Sequence, residues 1–195
     1  EQLGQQNIIS SIFSFDSSKE GEARFSDKTV NEIVKAVFEM AKVKTGALIV
    51  IERGTPLGEI ERTGIEVDGI VTSQLLINIF EHNTPLHDGA VVIRGNRVTA
   101  ATCYLPLSDN MDISKALGTR HRAAVGVSEA TDSVTLVVSE ETGRVSVAVS
   151  GRLKSVKDGD ELRDILSVLV KRETENTGRF RIWKGRRRNE RKADE

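Results

Sequence analysis

The most apolar run in the chain is Ala47–Ile51, inside the segment GALIVIER at 46–53, β-branched and set between Gly46 and Gly54. It is far short of the roughly 20 apolar residues that cross a bilayer. It reads instead as a buried strand, so the rest of the chain must supply a sheet around it and helices to cover it.

The surrounding periodicity does so. Residues 27–43 place Val30, Ile33, Val34, Val37, Phe38 and Met40 or Ala41 on one helical stripe, with Ser26 or Asp27 as N-cap. Residues 72–81 predict a second helix capped by Thr72 or Ser73. Strands are expected at 89–94 and 97–105 around Gly95-Asn96, a dipeptide that tolerates the positive φ of a two-residue hairpin. A helix can start near Gly118-Thr119, strands at 133–138 and 144–149 flank Glu141-Thr142-Gly143, and 158–172 reads as a closing amphipathic helix. The expected class is α/β, a single domain with a central mixed β-sheet flanked by α-helices.

Composition agrees with one domain plus tails. The chain has 195 residues, with 28 Lys+Arg against 29 Asp+Glu. The charge is unevenly spread. Eight basic residues fall between Arg179 and Lys192, and residues 1–178 are left with a net −6. Such a tail can bind nucleic acid or anionic lipid, or can simply be a solvated terminus. A single cysteine, Cys103, excludes an intrachain disulfide. The first residues carry no signal-peptide pattern, and Glu1 in place of Met suggests that the chain starts partway through a longer protein. The expected division is a lead-in at 1–25, a domain at 26–175 and a basic tail at 176–195.

P-loop, GxGxxG, zinc-spacing and GxSxG patterns are absent from the sequence. Chemistry concentrates in three loops at strand ends. In Asn83–Ala90, a glycine beside a carboxylate lets a ligand approach the backbone while Asp88 binds a metal or accepts a proton, and His87 is a second metal candidate. An Asp-Gly turn with a surface histidine is the plainer reading. In Leu117–Gly126, Arg120, His121 and Arg122 follow Gly118-Thr119. A helix starting there would aim free N–H groups, its dipole and two guanidinium forks at a polyanion. A solvated basic corner is the alternative. In Val138–Gly143, adjacent acids can hold Mg²⁺ or Mn²⁺ and Ser139 can donate to a phosphate, although a hairpin turn explains the same residues.

LHDGA at 86–90, GTRHRAA at 118–124 and SEETG at 139–143, with KTGALIV at 44–50 and CYLPL at 103–107, closely resemble the diadenylate cyclase domain. The resemblance runs in order from about residue 28 to residue 155. It implies condensation of two ATP molecules into cyclic di-AMP with release of two pyrophosphates, dependent on a divalent metal (Mn²⁺, Mg²⁺ or Co²⁺). It looks most like the membrane-bound bacterial housekeeping type, whose catalytic domain follows transmembrane helices and works at the cytoplasmic face of the cell membrane. On that reading the anchor lies upstream and this fragment is soluble.

The product is two-fold symmetric, so a face-to-face homodimer of half-sites is expected. The expected catalytic residues are Asp88, Gly89, Arg120, His121 and Arg122, with Asp88 acting on the 3′-hydroxyl. ATP binding is expected from Gly46, Tyr104, Leu105, Gly118, Thr119, Arg120, Arg122, Ser139 and Glu140. Tyr104 and Leu105 would border the adenine, unless Tyr104 is ordinary core packing. His87, Asp88 and Glu141 are the metal candidates, with Glu140 and Glu141 not distinguished by sequence. The resemblance also implies a YbbR-domain regulator and phosphoglucosamine mutase as partners, and no specific nucleic acid. A catalytically silent adenine-nucleotide sensor is the competing class.

Overall fold

Ser26 opens the first helix by accepting a hydrogen bond from the Thr29 amide at 3.1 Å, which satisfies one of the N–H groups a helix start leaves unpaired. The computed structural model describes residues 25–110 and 117–168. The elements are α1 (Asp27–Lys42), β1 (Ala47–Ile51), α2 (Gly58–Glu61), β2 (Ile65–Ile70), α3 (Ser73–Phe80), β3 (Ala90–Arg94), β4 (Arg97–Cys103), α4 (Thr119–Ala130), β5 (Val134–Val138), β6 (Val145–Val149) and β7 (Arg152–Val156). Residues 159–168 form a further helical stretch, α5. The end of the expected closing helix, the basic tail and nearly all of the lead-in lie outside the described residues. Phe25, assigned to the lead-in from sequence, packs into the core.

The strands make one seven-stranded mixed sheet in the order β2-β4-β3-β1-β5-β6-β7. Only β1 and β3 run parallel; every other neighbouring pair is antiparallel. β1 is buried along its whole length because both faces of the sheet are covered. On one face Ile49, Ile51, Val91, Ile93 and Leu136 meet α1, α3 and α5. On the other, Leu48, Val50, Val92 and Val137 meet Ala123, Ala124 and Val127 of α4. The α4 residues on the sheet are small, Ala123, Ala124 and Val127, while Gly126 faces the Pro106–Ser108 segment.

β2, α2 and β7 are absent from the sequence reading. β2 and β7 are the sheet edges, and their residues alternate weakly between half-buried and exposed, which leaves no clear apolar period to detect. β4 carries two extra residues. The register against β3 slips between Val92 and Ile93 and again between Ala90 and Val92, and Thr102 sits at the second slip with φ 56°. Left-handed backbone at a β-branched residue is uncommon and strained. Here it ends the strand beside the candidate site.

Candidate active site

The strand register brings two of the three predicted loops to one end of the sheet, and the Arg120–Glu140 ion pair brings the third. Ala47 pairs with Val138, Val138 with Val145, and Ala90 with Cys103. Gly46, Gly89, Tyr104 and the Ser139–Gly143 turn therefore share an edge. It comprises the amino ends of parallel β1 and β3 and the carboxyl ends of β4 and β5. This differs from an open parallel α/β sheet, where ligands gather at carboxyl ends only; the antiparallel neighbours make the difference.

Gly89 has φ +93°, and a Cβ there would lie 2.9 Å from the Thr102 carbonyl carbon and 3.0 Å from the Cys103 oxygen. The room this glycine provides is taken by the backbone of β4. Asp88 is thereby held at the rim, exposed, and its carboxylate has no hydrogen-bond or ion-pair partner among the described residues. His87 is half-buried, with Nδ1 2.6 Å from the Thr84 carbonyl oxygen. A carbonyl can only accept, so Nδ1–H donates to it, and Nε2 is the ring nitrogen turned to a ligand.

α4 starts at Thr119 with Gly118 as N-cap, and no side chain caps it. Its first turn sends Arg120 across to the β5–β6 turn, where Nη1 meets Glu140 Oε2 at 2.5 Å. The pair lies directly over Gly46: a Cβ there would be 2.9 Å from both of those atoms. Arg122 is half-buried, and its guanidinium reaches the Ser108 carbonyl at 3.5 Å while its own carbonyl accepts from the Ser108 amide at 3.0 Å. His121 is buried. Burial disfavours its imidazolium form and lowers its pKa, while Glu141 pulls the other way. The basic triplet is thus not a solvated corner: one arginine is ion-paired over the strand ends and the histidine faces inward.

Ser139 closes the β5–β6 turn by accepting from the Thr142 amide at 3.2 Å, which leaves its hydroxyl proton available to a phosphate. Gly143, at φ +71°, lies so close to the end of α1 that a Cβ would be 2.4 Å from the Ala41 oxygen. Tyr104 is 77% exposed and Leu105 is partly buried against the α4-side core. Core packing as the reason for Tyr104 is therefore excluded. The chain after it is pinned along α4 by Ser108, whose hydroxyl donates to Glu129 at 2.8 Å, and by Gly126, where a Cβ would sit 2.1 Å from the Pro106 oxygen. This pinning, and the Tyr104 amide bond to Thr63 Oγ1 at 2.9 Å, were invisible in sequence because they join residues far apart in the chain.

A family model described as DisA bacterial checkpoint controller nucleotide-binding matches residues 34–153. The cyclic di-AMP synthase CdaA of Bacillus subtilis is 49% identical over 188 residues, covering 96% of this chain and 67% of that protein. The chain belongs to the diadenylate cyclase family. A diadenylate cyclase of Listeria monocytogenes is 50% identical over 157 residues, covering 80% of this chain and 58% of its own length. The chain thus spans roughly three fifths to two thirds of these relatives. Among solved structures, a double cysteine mutant of DacA from Staphylococcus aureus matches with TM-score 0.72 and 47% identity, over 74% of this chain and 96% of that one. A Bacillus cereus protein titled a hypothetical membrane spanning protein matches with TM-score 0.66 and 37% identity, over 80% and 71%.

Family membership implies nucleotidyl transfer, for which a divalent ion is the usual charge carrier. Among the described residues no group of three or more His, Cys, Asp or Glu side chains could hold an ion, so His87, Asp88 and Glu141 are not gathered into one complete ligand set. An imidazole with a free Nε2 beside an unpaired carboxylate still fits an ion that arrives with a triphosphate and takes its remaining oxygen ligands from it.

Proposed function

We propose that this domain is a diadenylate cyclase that joins two ATP molecules into cyclic di-AMP, each protomer of a face-to-face homodimer contributing half of the centre. The 3′-hydroxyl oxygen of each nucleotide attacks the α-phosphorus of the other. The bond to the bridging oxygen breaks, pyrophosphate leaves, and the hydroxyl proton is released. Asp88, unpaired at the rim, accepts that proton or orients the hydroxyl. Arg120 and Arg122 hold the triphosphate with the open N-terminus of α4, from Gly118 and Thr119, and with the Ser139 hydroxyl. Gly46 keeps the backbone low beneath them. Gly89 fixes Asp88 against β4, His121 packs inward to orient the first turn of α4, and Tyr104 and Leu105 border the adenine. His87 and Asp88 would hold Mn²⁺, Mg²⁺ or Co²⁺ together with oxygens of the triphosphate, Glu141 being the third candidate ligand, and the ion would supply charge neutralisation at the phosphates. Glu140 acts through its pairing with Arg120.

The observation that carries this reading is convergence: an unpaired carboxylate, an uncapped helix start and an arginine over a side-chain-free strand end meet at one edge of the sheet. A single copy holding one ATP offers its α-phosphate no partner hydroxyl, which is why the reading requires a twin. Incubation with ATP and each metal, followed by mass identification of the product, tests it. A silent nucleotide sensor would bind ATP and yield no dinucleotide. Where the dimer dissociates, activity per protein should rise with concentration; a flat profile there would refute the shared centre.

The same proposal extends to a longer protein held at the cytoplasmic face of a bacterial membrane. The relatives exceed this chain in length, and the Bacillus cereus neighbour carries the membrane-spanning title. No helix among the described residues is long and apolar enough to cross a membrane. A YbbR-domain regulator and phosphoglucosamine mutase, implied by the resemblance, are tested by co-purification with the longer protein.

A further inference from the structure

Tyr104 poses a mechanical problem. Its side chain is 77% exposed, so core packing does not set the direction of its ring. Where its Cα–Cβ bond points is set by the backbone, which there is at a strand end, two residues beyond the strained φ of 56° at Thr102. An aromatic surface that receives a base must be held before the base arrives, or binding loses free energy to ordering it.

The hold comes from a turn that the reaction scheme above does not use. After α2, the Thr63 hydroxyl donates to the Ile60 carbonyl at 2.7 Å, which leaves a lone pair on Oγ1 for the Tyr104 amide at 2.9 Å. The next residue, Gly64, lies against β4 so closely that a Cβ would be 2.3 Å from the Ala101 oxygen and 2.6 Å from Cys103 Sγ. α2 is short, yet it is firmly seated. Leu57 is buried, and Glu61 bonds Arg94 at 2.7 Å and Thr99 at 2.5 Å. Residues 102–104 are therefore clamped from two sides, by the Thr63-Gly64 turn and by Gly89, the residue after Asp88.

We propose that Thr63 is a positioning residue for the reaction: its hydroxyl fixes the Tyr104 backbone and so sets the base-binding face relative to Asp88. This rests on the adenine-bordering role given to Tyr104 above. Thr63→Val keeps the shape and removes the acceptor; Thr63→Ser restores it. Losing one backbone hydrogen bond of ordinary strength should raise the KM for ATP about two- to tenfold, with kcat changed less and the melting temperature preserved, and serine should recover the KM.

A purely structural role predicts another pattern, with kcat per total protein and melting temperature falling together at unchanged KM. That pattern overturns the proposal, as does a valine variant with ordinary KM or a serine variant as impaired as valine. Tyr104→Ala, measured alongside, separates the two layers. A raised KM in Tyr104→Ala with a silent Thr63→Val rejects only the role of Thr63. An unchanged KM in Tyr104→Ala rejects the adenine assignment, and the positioning role with it.

Discussion

Gly46→Ala tests the proposed phosphate grip while leaving the backbone almost untouched. Gly46 is not in the left-handed region, so alanine meets no backbone strain there, and the nearest atoms to its methyl are the far ends of two flexible side chains, Arg120 Nη1 and Glu140 Oε2, both at 2.9 Å. The methyl fits only if the ion pair opens. That pair is 23% and 51% exposed at its two side chains, and partly exposed pairs contribute at most about 1 kcal/mol. The melting temperature should therefore fall by no more than about 4 °C in a domain of this size. The effect on turnover should be much larger. Displacing a guanidinium from a phosphate removes a charged hydrogen bond worth about 1.5–3 kcal/mol, or roughly ten- to a hundredfold in kcat/KM for cyclic di-AMP formation. Gly64→Ala makes the contrast, because its Cβ would strike the Ala101 carbonyl oxygen at 2.3 Å, an atom that cannot swing aside; that variant should fail to fold. Ordinary kcat/KM in a folded Gly46→Ala protein would show that Arg120 does not hold the triphosphate from above Gly46.

Asp88→Asn should retain ATP binding by calorimetry and lose dinucleotide formation by at least a hundredfold; normal turnover would remove Asp88 from its role. Thr135 is fully buried, and its hydroxyl is the one buried side-chain polar atom without a partner among the described residues. Thr135→Val should raise stability in chemical denaturation by about 1 kcal/mol without altering activity. His121 gives a pH signature. Its folded pKa lies below its unfolded value of about 6.5, so below that pH the unfolded chain binds more protons. Stability is then full above about pH 6.5 and is lost as the pH falls through it towards the folded pKa, by at most about 1.4 kcal/mol per unit. Melting temperatures between pH 7.5 and 5.5 should drop further in the parent than in His121→Gln.

What could be read from the sequence follows burial. α1, β1, α3, β3, β5 and β6 have a strong apolar period or an unbroken β-branched run, and each appears within a residue or two of its expected place. The edge strands do not, since IEVDGI and RLKSV keep one side in water and carry charges that protect a sheet edge at the expense of pattern. At the candidate site the residue types were legible because a carboxylate beside glycine and arginines beside a helix start each suggest a chemistry by themselves. Their partners were not. Nothing local to Gly46 says that Arg120 and Glu140 lie over it, and nothing local to Tyr104 says that Thr63 holds its amide.

Strand β1 sits between β3 and β5, with its register to β5 running from Ala47 with Val138 to Ile51 with Val134. More than eighty residues separate the two in the chain, and closing so long a loop is slow compared with forming a helix. A polypeptide emerging from the ribosome would therefore expose Asp88 and Tyr104 before the strand that completes the proposed nucleotide site exists. On the proposed site, Arg120 and Glu140 come over Gly46 only once the hairpin ending near Val149 is made, so competence for nucleotide would be among the last properties a nascent chain gains.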